Sequence, residues 1–68
     1  MGKRIVWQGQ ETETDAATVA AFLGEKGVDA AQAVVEWNGE VFAPGDDLSS
    51  VPIEEGGDLS VFKVVAGG

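Results

Sequence analysis

Only one segment of this 68-residue chain has the apolar spacing of an amphipathic helix, and it lies between segments that alternate as β-strands do. Val19, Phe22 and Leu23 fall at positions i, i+3 and i+4, which places them along one side of a helix over 19–26. Thr18 is the expected N-cap, and Gly27 stands where left-handed backbone geometry commonly ends a helix. One helix among several strands buries its apolar side against a sheet, so the pattern predicts an α+β domain.

Two details of this helix allow alternatives. Asp15 competes with Thr18 for the N-cap position. Gly24 lies inside the helix, where glycine costs up to about 1 kcal/mol relative to alanine. We therefore expect Gly24 to permit a close backbone contact.

Five segments have the composition of β-strands, and the turns between them indicate how they pair. The second segment is polar, which suits an edge strand, and the last is apolar on both faces, which suits a central strand. Asn38-Gly39 is the strongest short hairpin signal, because both residues of a type I′ turn need positive φ. We expect the first and last strands to lie side by side in a mixed sheet of four or five strands. The segments are Lys3 to Gln8, Glu11 to Thr14, Ala33 to Trp37, Glu40 to Phe42, and Leu59 to Val65.

The connection to the last strand is predicted to be irregular. Pro44 to Asp47 interrupts regular structure, and Glu54 to Asp58 forms a tight turn. Leu48, Val51 and Ile53 are spaced to pin the intervening segment to the core. Residues 1–65 then form one domain, and residues 66–68 form a tail.

The composition excludes several kinds of chemistry. The chain has no cysteine and no histidine, so a disulfide framework, a Cys/His zinc site, a cysteine nucleophile and a histidine base are all excluded. A chain of this length buries only about 60% of its unfolded surface, which leaves little room for an enzyme pocket. We expect no bound metal or cofactor, and a protein that is not itself an enzyme.

The net charge of −8 argues against nucleic acid and anionic lipid as partners. Residues 1–34 carry −2 and residues 35–68 carry −6, so the acidic half is the one that ends in the tail. A basic protein surface is the natural complement, although solubility alone also accounts for such a charge. No apolar run approaches the roughly 20 residues of a membrane span, and no signal peptide is evident. We expect a cytoplasmic protein.

The last residues, Ala66, Gly67 and Gly68, present an α-carboxylate on a segment with almost no side chains. A glycine pair fits a slot too narrow for any Cβ, and three extended residues span about 10 to 11 Å. Such a tail can thread into the active site of another protein. A frayed end or a linker is the simpler alternative.

Taken in order, these motifs resemble the β-grasp, ubiquitin-like sulfur carriers, most closely the ThiS-type carriers of thiamine biosynthesis. The resemblance covers nearly the whole chain. It departs from the family in its polar second strand, in the tryptophans at 7 and 37, and in Ala43 to Asp47. The matching motifs are Ile5 to Gly9, Thr18-Val19 with Phe22-Leu23, Trp37 to Val41, Gly57-Asp58, and Val65 to Gly68.

The resemblance implies a chemical role for Gly68. A ThiF-like adenylyltransferase of the ubiquitin-activating type would use ATP and magnesium to convert its carboxylate to an acyl-adenylate. Sulfur from a cysteine desulfurase would then yield a thiocarboxylate, which a ThiG-like thiazole synthase accepts. Gly67 and Ala66 would thread the tail into these enzymes.

Partner docking is expected on the exposed face of the sheet near the tail. Phe62 and Val64 point there if Leu59 and Val61 face the helix. The alternative is that Phe62 and Val64 form a second layer of core.

Three other functions fit the same residues. The client could be a different one, such as molybdopterin. The activated Gly68 could instead be attacked by a lysine, as in a protein modifier. The chain could also be a plain interaction module whose glycine pair is incidental.

Overall fold

The computed structural model describes residues 2–64, with the backbone alone for Lys63 and Val64. Within this range the chain forms five strands, one α-helix and two short 3₁₀ helices. The strands are β1 (Lys3–Trp7), β2 (Gln10–Thr14), β3 (Ala33–Trp37), β4 (Glu40–Phe42) and β5 (Asp58–Val64). The helix α1 covers Val19–Glu25, and the 3₁₀ helices cover Ala30–Gln32 and Leu48–Ser50.

The five strands form one mixed sheet in the order β2-β1-β5-β3-β4. β5 pairs in parallel with β1 and antiparallel with β3, and the two outer pairs are antiparallel. The polar β2 lies at one edge, as its composition predicted. The first and last strands are neighbours, and the apolar β5 lies in the centre.

Two-residue turns close both hairpins. Asn38 and Gly39 have φ of 52° and 87°, which confirms the predicted turn between β3 and β4. Gln8 and Gly9 have φ of 51° and 82°, so the turn between β1 and β2 has the same backbone signs. A glutamine in left-handed geometry is uncommon, since such positions favour glycine and asparagine.

Helix α1 begins and ends as the sequence indicated. The Thr18 hydroxyl accepts a hydrogen bond from the Ala21 N–H at 3.1 Å, so Thr18 rather than Asp15 is the N-cap. Lys26 is the C-cap, and Gly27 follows it with φ of 75°. The expected contact at Gly24 is wrong, because a Cβ built there meets no atom within 4 Å.

The core lies between α1 and one face of the sheet. Val19, Phe22 and Leu23 are fully buried, as their spacing predicted. The Trp7 ring meets Phe22 edge to face, with centroids 5.2 Å apart. The sheet contributes alternate residues to this core, most completely Ile5, Ala33, Val35, Trp37 and Leu59.

The irregular connection between β4 and β5 is held by buried side chains, as expected. Leu48 and Ile53 are buried and Val51 packs against the core. The Lys3 Nζ donates to the Ile53 carbonyl at 2.8 Å, which ties this segment to the start of β1. The segment then leads into β5 through Gly57, which lies against the Trp37 ring.

Candidate functional site

The described part of the predicted site is the second half of β5. Phe62 is 62% exposed, as the sequence analysis expected. Val64 is described only as backbone, where it pairs with Ala33, so its predicted exposure lies outside the described side chains. Ala66, Gly67 and Gly68, which carry the predicted chemistry, lie outside the described residues altogether.

Phe62 occupies a β-bulge in the central strand. β3 and β5 pair in one register up to Val35 with Val61, and the register slips before Val34 pairs with Lys63. Phe62 is therefore the extra residue on β5. A bulge bends its strand and strengthens its twist, so the simple alternation that placed Phe62 and Val64 together does not run through this point.

The face of the sheet opposite α1 carries an apolar patch that the prediction covered only in part. Val41 is 60% exposed, and with Phe62 it is one of the two large apolar side chains most open to solvent among residues 2–62. Val34 and Val6 are half-buried on the same face. We call Phe62, Val34, Val41 and Val6 the open-face patch. Alternation along β4 from the Asn38-Gly39 turn was a signal that could have identified Val41.

Acidic residues lie among the members of the open-face patch. Glu36 pairs with Val41 on one side and with Ser60 on the other, which places it within the open face rather than at its border. Asp58 pairs with Val6, and Glu11 pairs with Val6 on its other side. The open face of the sheet therefore alternates apolar and acidic side chains across neighbouring strands.

Gln8 is a second residue that sequence reasoning missed. Its Oε1 accepts from the Val61 N–H at 2.8 Å, and its Nε2 lies 3.4 Å from the Val61 carbonyl oxygen. The Gln8 backbone N–H also donates to the Leu59 carbonyl at 3.0 Å. The Gln8 side chain thus contacts β5 immediately before the bulge. Nothing in the sequence around Gln8 indicated this contact.

A shallow depression lies where β2 ends, away from the open-face patch. Gly2, Glu13, Thr14, Asp15 and Glu25 line an open depression, in which the Thr14 hydroxyl donates to Glu25 Oε1 at 3.0 Å. Within the described residues, no three acidic side chains converge closely enough to hold a metal ion. None of the helices found there is long and apolar enough to cross a membrane.

No protein-family model matches this chain, and no curated protein or solved structure is significantly similar to it.

Proposed function

We propose that this chain is a ubiquitin-like sulfur carrier with a β-grasp fold, and that its Gly68 carboxylate becomes a thiocarboxylate that donates sulfur for thiazole formation. The central position of β5 carries the proposal. β5 lies between β1 and β3 and pairs with β3 as far as Val64, and the sequence continues from it directly into Val65-Ala66-Gly67-Gly68. The parallel pairing of β5 with β1 and the single helix across one face support the β-grasp assignment.

The chemistry requires activation by a partner. A carboxylate is an anion at neutral pH and a poor electrophile. In the proposed reaction the Gly68 carboxylate attacks the α-phosphate of ATP, forms an acyl-adenylate and releases pyrophosphate. A persulfide sulfur then attacks the acyl carbon and AMP leaves. A thiol breaks the remaining S–S bond, which leaves a thiocarboxylate on Gly68 and a disulfide on the donor.

The absence of cysteine and histidine fits a carrier of this kind. The chain needs no nucleophile or base of its own, because the activating enzyme, the cysteine desulfurase and the accepting synthase supply them. In this proposal ATP and magnesium are bound by the activating enzyme rather than by the carrier.

The open-face patch supports docking of those partners. Phe62 provides an exposed aromatic side chain a few residues before the tail, and aromatic side chains often contribute most of the energy of an interface. The acidic residues of this face suit a partner surface that carries lysine or arginine.

Intact mass spectrometry tests the proposal directly. The purified chain is incubated with ATP, magnesium, the adenylating enzyme from the same genome, a cysteine desulfurase and cysteine. A mass gain equal to the exchange of one oxygen for sulfur is the expected result. Conjugates on other proteins would point to a modifier, and an unchanged mass would leave an interaction module.

Variants of the tail locate the reaction. Deletion of Gly68, or Gly67→Leu, should abolish sulfur loading while the thermal midpoint stays unchanged. Gly24→Ala is the matched control for loading and should load as the parent chain does, because it also replaces a glycine but lies on α1 with free space around it. Loading of the chain without Gly68 would contradict the proposal.

A further inference from the structure

β5 extends farther than the strand beside it. β1 ends at Trp7, opposite Leu59, whereas β5 continues to Val64. On its other side β5 pairs with β3 all the way to Val64. Within residues 2–64, the last part of β5 therefore has a strand on one side and none on the other.

The Gln8 side chain stands where the next peptide group of β1 would be. The backbone of β1 turns away at Gln8, whose φ is 51°. Its side-chain amide then both accepts from and donates to the backbone of Val61, at 2.8 and 3.4 Å. A primary amide carries the same acceptor and donor as a peptide group. This edge of β5 therefore already holds a peptide-like group that does not belong to a strand.

The bulge changes the direction of the edge just after this point. Phe62 is the extra residue, and pairing with β3 resumes at Lys63 and Val64. A bulge bends its strand and increases local twist, so the edge beyond Val61 does not simply continue the line along which β5 pairs with β1.

We infer that the free edge of β5, from the Gln8 amide to Val64, is a strand-addition site for an extended backbone segment of the activating enzyme. This inference rests on the proposed function. The sequence that follows the edge ends in alanine and two glycines, which offer few side chains to recognise. Backbone pairing along an edge provides affinity without side chains and would hold the chain extended as it leaves the domain.

The net charge of the chain indicates which kind of segment pairs with this edge. A second copy of this chain would bring a net charge of −8 against another −8. Like charges of that size oppose edge-to-edge pairing of two copies. A segment flanked by lysine or arginine is attracted by the net charge of the whole chain, although Lys63 of this edge is itself basic, so charge favours a basic partner over a second copy.

Residue-resolved amide exchange tests the inference. The ¹⁵N-labelled full chain is measured alone and with the unlabelled adenylating enzyme, ATP and magnesium, and sulfur loading is followed by mass after a cysteine desulfurase and cysteine are added to the same preparation. Binding is expected to slow exchange at one or more amides of Phe62–Val64 by at least about tenfold. Amides at the outer edges of β2 and β4 should keep their rates and serve as the internal control.

A companion variant separates backbone pairing from side-chain docking. Phe62→Ser removes the exposed ring but keeps the backbone edge. In the complex formed at saturating enzyme, this variant should still show slowed exchange at Lys63 or Val64. Loss of that protection would mean that the ring alone orders the segment, and would overturn the inference.

Three further outcomes are decisive. Loading without slowed exchange at Phe62–Val64 would overturn strand addition and leave the carrier function standing. Failure of both binding and loading would overturn the carrier function and the inference with it. Slowed exchange that appears without enzyme and disappears on dilution would mean that a second copy occupies the edge, which also overturns the inference.

Discussion

Gly24 and Gly57 show how two glycines can have opposite roles. Gly24 lies in α1 with ordinary helical geometry, is exposed, and has open space where a Cβ would lie. Gly57 is buried directly against the Trp37 ring, which a Cβ would overlap. Trp37 is itself only 6% exposed, so the ring has little freedom to move aside.

The same substitution should therefore change stability in opposite directions. Gly24→Ala is expected to raise the free energy of unfolding by about 0.5 to 1 kcal/mol, because alanine is the better helix former. Gly57→Ala is expected to lower it by about 1 to 3 kcal/mol, because the added methyl group overpacks the site. Urea denaturation of both variants checks this. A change of equal sign in the two variants would contradict it.

At the scale of elements, Phe22 is the aromatic side chain that α1 buries against the sheet. Phe22 has no exposed surface, meets the Trp7 ring, and lies under the Lys26 Nζ at 5.4 Å from the ring centroid. Its contacts therefore combine burial, an aromatic pair and a cation above the ring. Burial is the largest of these, since a cation–π contact made by a solvent-exposed lysine contributes only about 0.5 to 1 kcal/mol.

Phe22→Ala should lower the free energy of unfolding by about 3 to 5 kcal/mol, much of the total for a small domain. Lys26→Ala removes the cation but keeps the ring, and should cost no more than about 1 kcal/mol. Thermal and urea unfolding of the two variants separate the two contributions. Equal losses would show that the cation, rather than burial, dominates.

The stability contributed by a second element, the 3₁₀ helix Leu48–Ser50, depends on pH. Asp47 caps the 3₁₀ helix Leu48–Ser50, where its carboxylate accepts from the hydroxyl and the backbone N–H of Ser49. These two hydrogen bonds lower the pKa of Asp47 below its ordinary value, although slight desolvation acts in the opposite direction. A lowered folded-state pKa stabilises the folded protein above the ordinary value for aspartate, and this stabilisation is lost as the pH falls through the folded-state value.

Asp47→Ala should therefore lower the denaturation midpoint at neutral pH, and the difference from the parent chain should shrink as the pH falls through the lowered pKa. The measurement is urea unfolding of both proteins from pH 7 to pH 2. Glu54→Ala is the control, since Glu54 is exposed and its carboxylate has no hydrogen bond among the described residues. A difference that grows in acid would refute the assignment.

At the scale of the whole molecule, one face of the sheet is covered and the other is open. Helix α1 covers the face that carries Ile5, Val35 and Leu59. The opposite face presents the open-face patch beside Glu36 and Asp58. The acidic residues lie beside the first half of β5, and the exposed Phe62 ring lies in its second half.

If the proposed function holds, Phe62→Ser should weaken association with the adenylating enzyme by about tenfold or more, because an exposed aromatic is the strongest anchor on this face. The free energy of unfolding should change by less than about 0.5 kcal/mol, since the ring is mostly in solvent. Ala21→Ser, an exposed change on α1, is the control. Titration calorimetry and thermal unfolding provide the two readouts. Unchanged affinity would exclude the open-face patch as the docking surface.

Local chemistry along the chain was enough to predict much of this fold. The N-cap at Thr18, the left-handed geometry of Gly27 and the turn at Asn38-Gly39 are all found at the predicted positions. Each depends on interactions that span only a few residues. The burial of alternate side chains in β3 follows from the period of a strand, which does not depend on its neighbours. The polar composition of β2 likewise indicated an edge.

Tertiary structure decided the features nearest the candidate site. The bulge at Phe62 arises from the fit of β5 against β3, and no local pattern marks it. Gln8 meets Val61 only because β1 ends beside a longer strand, 53 residues away in sequence. Gly24 and Gly57 are identical in sequence terms and differ in whether an aromatic ring lies over them. The sequence by itself determined the elements and their caps, because those depend on contacts within a few residues. Only the tertiary structure decided which edge and which face stay open, because those depend on where distant strands end.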